Sequence, residues 1–292
     1  MNLTAITAST FRTDGGAMFG LVPRPLWSRR IAPDNRHRIP QRAWAWRIDL
    51  DDGRVGLLET GCGAEERFTE KERDFHGLSP GWPLREALAA MALDPKEIDF
   101  VLLSHLHWDH VGGAGQGAER RPTFPRAKHF VHEVEWRLAR SGDPLLHKSY
   151  PPELLSPLLS LEQEGRLRLM TDADDCPLPG IRFERTGGHT EGHVAVWFEG
   201  PLHLVPETGA PRDVPGAVYA GDVCPTRHHL PLVFQTSYDT FPLQTRAWKH
   251  ATLPRLAEDG TALLFSHDAD TCGALLETGT RGPEVKAPLD PL

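Results

Sequence analysis

The segment Ser104-His105-Leu106-His107-Trp108-Asp109-His110 places four residues of metal-ligand type within six positions. Imidazole and carboxylate are ordinary ligands of zinc, manganese and iron. His105 and His107 are two apart, so an extended backbone turns both to one side. Asp109 and His110 follow, and Gly112-Gly113 would let the chain turn and aim them at a second point a few ångströms away. Two ions about 3.5–4 Å apart need such split ligation.

Three later segments repeat these residue types. Thr186-Gly187-Gly188-His189 supplies an imidazole, Ala220-Gly221-Asp222 a carboxylate and Phe265-Ser266-His267 another imidazole. Each is weak alone, because a lone histidine at a strand end is more often a surface residue than a ligand. The succession HxHxDH, H, D, H is a strong joint signal, since each member follows a run that reads as a strand.

Those runs are short and apolar. Residues 98–104, 127–131, 166–170, 180–186, 193–199, 216–221 and 261–266 read as strands. Residues 3–11 and 44–60 carry further strand material, with Asp51-Asp52-Gly53 as a hairpin signal. Residues 83–92, 133–140 and 243–257 read as helices. The stretch 14–42 is expected to be a long ordered loop, 141–160 a lid-like loop with a short helix, and 200–215 a Pro/Gly-rich excursion. The tail 283–292 is expected to fray. Alternating strands and helices give an α/β class, and strand runs in both halves suggest two facing sheets.

Composition narrows the classes. The chain has 292 residues, a formal net charge of −8, 39% hydrophobic and 25% charged residues, and 15 histidines. This is a globular composition. The acidic balance argues against a nucleic-acid or anionic-membrane partner, and no window reaches a membrane span. The N-terminal residues show no secretory pattern. The four cysteines are dispersed, with no C-x-x-C pair. A cytoplasmic protein with reduced thiols is expected.

The succession of ligand types resembles the metallo-β-lactamase superfamily over about residues 44–270. The resemblance implies one domain, 1–292, with an αββα sandwich and a dinuclear site at one edge between the sheets. It implies that His105, His107 and His189 bind one ion, that Asp109, His110 and His267 bind the other, and that Asp222 bridges them. Zinc is the expected metal, with Mn2+, Fe2+ or Co2+ as alternatives. Leu58-Glu59-Thr60-Gly61 resembles the family's Asp-Thr-Gly turn, with Glu59 in place of Asp. His193 matches a supporting position.

Within the family, His107 favours hydrolases over flavodiiron oxidoreductases. Asp222 argues against antibiotic-hydrolysing members of the Cys-ligand type. Residues 14–28 and 221–229, followed by Tyr238-Asp239, resemble quorum-quenching lactonase-like proteins. The implied chemistry is attack by a metal-held hydroxide on a small lactone or ester, with Asp109 and Asp222 as catalytic carboxylates. An acyl-homoserine-lactone-like substrate with arylesterase activity is the first expectation. A phosphotriesterase, a thioesterase or an iron-dependent oxidoreductase are alternatives on the same ligands, and a homodimer stays open. Met18, Phe19, Trp27 and His147 are pocket candidates, as are Tyr150, His228 and His229. Tyr238 is a candidate to replace the lactonase tyrosine.

Overall fold

Two long strands, β1 (Asn2–Asp14) and β2 (Arg38–Asp49), pair antiparallel along nearly their whole length. Both faces of this ribbon are buried. Leu3, Ala5, Trp44, Trp46 and Ile48 face one core cluster, and Ile6, Ala8 and Ala45 face another. Between the strands lie two short helices, α1 (Gly15–Phe19) and α2 (Arg24–Trp27). The expected loop 14–42 is therefore mostly structured. Asp14 caps α1 by accepting from the Ala17 N–H at 2.8 Å, which converts the end of β1 into a helix start. The Asp51-Asp52-Gly53 turn then returns the chain into β3 (Val55–Leu58), as the hairpin signal predicts.

The structure is a computed structural model and describes residues 1–144, 146–173 and 176–290. After β3 come α3 (Glu70–His76), α4 (Pro83–Ala90), β4 (Phe100–Leu102), α5 (Trp108–Val111) and a small hairpin, β5 (Gly115–Gln116) with β6 (Arg121–Pro122). Then β7 (Lys128–His132), α6 (Glu133–Ala139), α7 (Pro152–Gln163) and β8 (Leu167–Met170) complete the first half. The second half holds β9 (Ile181–Arg185), β10 (Val194–Val205), β11 (Arg212–Tyr219), α8 (Pro242–Asp259), β12 (Ala262–Leu264), β13 (Gly273–Gly279) and β14 (Gly282–Pro288).

The two expected sheets form one hydrogen-bonded path. Its order is β14-β13-β12-β11-β10-β1-β2-β3-β4-β7-β8, with β9 on β10. The halves are joined by β1 and β10 over three residues, Asn2–Thr4 against His203–Val205. The path then folds over, so that Leu58, Leu102 and Phe130 of one half share a core with Val196, Tyr219 and Leu264 of the other. Outside these layers, α4 and α7 cover the first half and α8 the second. The order of layers is αββα.

Two expectations are corrected and one is refined. The stretch 200–215 is not an excursion: β10 runs to Val205 and β11 starts at Arg212. Gly200-Pro201 instead forms a bulge, with a register shift between Glu199 and Leu202 and Gly200 at φ 87°. Such a bulge lets one strand bend between partners. The lid-like loop 141–160 ends in α7, whose Leu154, Leu158 and Leu161 are core residues; Leu145 lies outside the described residues. The tail 283–292 does not fray at its start. Gly282–Pro288 pair with β13, and Asp290 Oδ2 accepts the Cys272 N–H at 2.8 Å; residues 291–292 lie outside the described residues.

Candidate metal centre

The expected ligands stand beyond strand ends at one rim, on loops or on a single helical turn. His105 follows β4 and is fully buried. From His107 the chain enters α5, a single helical turn that aims Asp109 and His110. Gly112 and Gly113 do not supply a positive-φ turn, since Gly112 is helical at φ −55°. They allow close packing: a Cβ on Gly112 would lie 2.2 Å from the Cys62 carbonyl oxygen, and one on Gly113 2.3 Å from that of Thr60. His189 follows β9, Asp222 sits on a 3-10 turn after β11, and His267 follows β12.

These seven residues converge. Ligand atoms of His105, His107 and His189 lie within 4.8 Å of one another, as do those of Asp109, His110 and His267, and of His105, His110 and Asp222. His189 Nε2 is 3.0 Å from His107 Nδ1, and His110 Nε2 is 3.1 Å from His267 Nε2. Asp222 stands between the two groups. Its Oδ1 is 3.3 Å from His110 Nε2 and 3.2 Å from His267 Nε2, while its Oδ2 is 3.4 Å from His189 Nε2.

Outer ring nitrogens of His105, His189 and His267 are held from outside. His189 Nδ1 lies 3.0 Å from Asp239 Oδ1, His267 Nδ1 2.9 Å from the Arg42 carbonyl and His105 Nδ1 3.0 Å from Ser104 Oγ. Glu59 Oε2 is 3.5 Å from His110 Nδ1, so this side chain reaches one of the expected ligands from behind. Glu59 adopts φ 64° to do so, and its Oε1 accepts the Ser104 N–H at 3.0 Å. His105 Nε2 is buried with no hydrogen-bond partner. Nitrogens fixed on one side and left with inward lone pairs about 3 Å apart suit a cation, because two nitrogens on one tetrahedral zinc lie roughly 3.3 Å apart.

Electrostatics divides the histidines. Burial, and then the neighbouring imidazoles, hold His105 and His107 well below the usual histidine range. Burial also opposes charge on His110, His189 and His267, but Asp222, joined by Glu59 at His110, Asp239 at His189 and Asp109 at His267, outweighs it and raises all three. Asp222 is held well below the usual carboxylate range: burial opposes this, and His267, His110 and His189 overcome it. The rim thus carries a carboxylate that favours its ionised form, the form in which a carboxylate binds a cation.

The sequence matches the metallo-beta-lactamase superfamily over residues 38–202, more than half of its length. The chain belongs to that superfamily. An N-acyl homoserine lactonase from Bacillus cereus is 22% identical over 189 residues, which cover 61% of this chain and 66% of that protein. A Bacillus sp. N-acyl homoserine lactonase is 23% identical over 55% of this chain and 61% of its own length. The chain thus spans less than two thirds of the curated relatives it matches. A probable metal-dependent hydrolase from Staphylococcus aureus superposes with a TM-score of 0.84 at 26% identity, over 99% of this chain and 96% of that one. AidC, a dizinc quorum-quenching lactonase, superposes with a TM-score of 0.73 at 18% identity, over 97% and 92%. Among the described residues, no helix is long and apolar enough to cross a membrane.

In this member of the superfamily a cavity of about 750 Å³ opens over the centre and reaches His107, Asp109, His189, Asp222 and His267. Of the pocket candidates, Met18, His147 and Tyr238 line it. Phe19 and Trp27 do not: they stack at 5.6 Å in a buried cluster, and Phe19 also stacks on His229 at 5.0 Å. His229 bonds to the Met18 carbonyl at 2.8 Å and packs the N-terminal segment down. His228 lies along a separate small cleft. Tyr150 is buried, its hydroxyl donating to Glu135 Oε1 at 2.8 Å.

The sequence reading missed Phe11, Phe75, His76 and Trp108, which form an aromatic wall of the cavity. Trp108 centres the cluster, with Phe11 at 5.5 Å and His76 at 4.8 Å. The position of Trp108 inside the HxHxDH motif was a usable signal; the others come from distant segments. Gly77-Leu78-Ser79-Pro80-Gly81 also has the G-x-S-x-G spacing of a nucleophile elbow. It follows a helix rather than a strand, and the Ser79 hydroxyl accepts the Thr10 N–H at 3.1 Å. Ser79 is not a cavity residue. His193, by contrast, holds the site: its Nδ1 lies 2.7 Å from Thr186 Oγ1 and its Nε2 accepts the Asp222 N–H at 3.0 Å.

Proposed function

We propose that this chain is a metal-dependent hydrolase that opens a lactone or cleaves an ester at a two-ion centre. The observation that carries this reading is Asp222, whose two oxygens face different groups of imidazole nitrogens. His105, His107 and His189 would hold one ion, Asp109, His110 and His267 the other, and Asp222 both. Zinc fits the nitrogen-rich set, as would Mn2+, Fe2+ or Co2+. When bound, two such ions acidify a shared water and polarise the substrate carbonyl.

The rest belongs to the chain's own residues. Asp109 lines the cavity floor with Oδ2 3.5 Å from His267 Nε2, and it takes the proton released by the attacking water. Tyr238 lines the same cavity, and its hydroxyl would meet the leaving oxygen. Phe11, Trp108 and Phe75 take the apolar part of the substrate and keep water away from it. Likeness to N-acyl homoserine lactonases supports a lactone first.

The test is hydrolysis of a panel of lactones, thioesters, aryl esters and phosphotriesters by protein of measured metal content. Turnover of lactones above the other classes is expected. Absence of hydrolysis, together with oxygen consumption in the presence of a thiol or persulfide, would remove the hydrolase reading.

A further inference from the structure

Glu135, the third residue of α6, is 0% exposed and lies outside the cavity. Among the described residues it has no cationic partner within 4 Å. A buried carboxylate without a cation is costly unless it is well supplied with donors. Three reach it, from three separate segments. The Leu106 N–H donates to Oε1 at 2.9 Å, the Tyr150 hydroxyl to Oε1 at 2.8 Å and the Thr190 hydroxyl to Oε2 at 2.6 Å.

Each donor adjoins the three-histidine group. Leu106 lies between His105 and His107, Thr190 follows His189, and the Tyr150 ring packs on His107 with centroids 4.8 Å apart. The loop after His189 also presses against this helix: a Cβ on Gly192 would stand 2.1 Å from the Glu135 nitrogen. Support for the other group comes from elsewhere, namely Glu59 beside His110 and the Arg42 carbonyl beside His267.

We propose that Glu135 is a positioning residue that sets the three-histidine half of the centre, acting through Leu106, Tyr150 and Thr190. One carboxylate fixes the spacing of two loops that approach from opposite halves of the sandwich. It leaves the Asp109, His110 and His267 half untouched. The inference rests on the two-ion reading above.

The test isolates each half in the full-length, metal-stripped protein and titrates it with Co2+, followed by visible absorption. His267→Ala leaves the three-histidine half, and His189→Ala leaves the other. Adding Glu135→Gln to His267→Ala is expected to weaken Co2+ binding by about 10- to 100-fold, and adding it to His189→Ala by less than about twofold. Should Glu135→Gln fail to fold by circular dichroism, Tyr150→Phe and Thr190→Val each remove one hydrogen bond. Each is expected to weaken binding several-fold in the His267→Ala background alone. Unchanged affinity there, or equal loss in both backgrounds, overturns the assignment. A parent protein that binds no Co2+ overturns the two-ion reading and this inference with it; a parent that binds two ions while the Glu135 variants match it overturns this inference alone.

Discussion

His193 Nε2 accepts the backbone N–H of Asp222 at 3.0 Å, and residue 221 between strand and carboxylate is a glycine whose missing Cβ would lie 2.4 Å from that same nitrogen. The imidazole therefore sets the height of the Asp222 backbone, and through it the carboxylate. His193→Phe fills the space without an acceptor and leaves a buried N–H unpaired, at a cost of roughly 1–3 kcal/mol. Expected are a lower melting temperature and metal retention weakened by about tenfold or more, read as metal content after dialysis against a weak chelator. Retention equal to the parent would show that Asp222 holds its place without His193.

Asp222 and Asp109 should differ in stoichiometry. Removing Asp222, whose oxygens face both groups, is expected to weaken both ions together, whereas Asp109→Ala should weaken one. Metal-to-protein ratios across a chelator series check this. A variant Asp222→Ala that keeps two ions at parental affinity removes the shared ligand.

Phe75 and Phe19 are expected to behave oppositely. Phe75 is 59% exposed on α3, a helix with no buried residue, and it lines the cavity mouth. Phe75→Ala should leave stability within about 0.5 kcal/mol yet lower kcat/KM for long apolar substrates on the order of tenfold relative to short ones. Phe19 is 1% exposed between Trp27 and His229. Phe19→Ala should cost roughly 3–5 kcal/mol of stability and leave the substrate ranking as it was. Thermal melts and a chain-length series on both variants decide the matter.

Acid should destabilise the fold partly through His129. It is fully buried, and burial holds it at about 4 in the folded chain, against an ordinary value near 6.5. Between those values the unfolded chain binds the extra proton, so this contribution is complete above pH 6.5 and is lost as pH falls towards 4. From pH 7.5 to pH 5 the loss is roughly 2 kcal/mol. His129→Leu should show a shallower fall of unfolding free energy over that interval. A slope equal to the parent's would show that His129 is not the group responsible.

The centre was far more legible in sequence than its surroundings. Metal-ligand types are rare enough that HxHxDH and three strand-end repeats stand out, and all seven meet at one rim. The folded-over sheet was half legible: the strands carry apolar runs, but nothing local signals that Asn2–Thr4 pair with His203–Val205. Gly200-Pro201 read as a break because a bulge inside a strand uses the residues of a turn. Phe19 and Trp27 read as pocket walls because composition does not tell a ring that lines a cavity from one that packs its loop. Glu135 and Asp239 were invisible as supports, since a single acid in a helix or loop has the pattern of a solvated surface residue until the fold buries it.

The division of ligand-type residues between the two halves of the sandwich has a mechanical consequence. His105, His107, Asp109 and His110 belong to the half that includes β4, and His189, Asp222 and His267 to the half that includes β9, β11 and β12. The described cysteines are all free, so no disulfide among them ties the layers. Ions held at this rim would act as removable rivets between the layers, and the free metal concentration would set how firmly the two leaves of the sandwich stay shut.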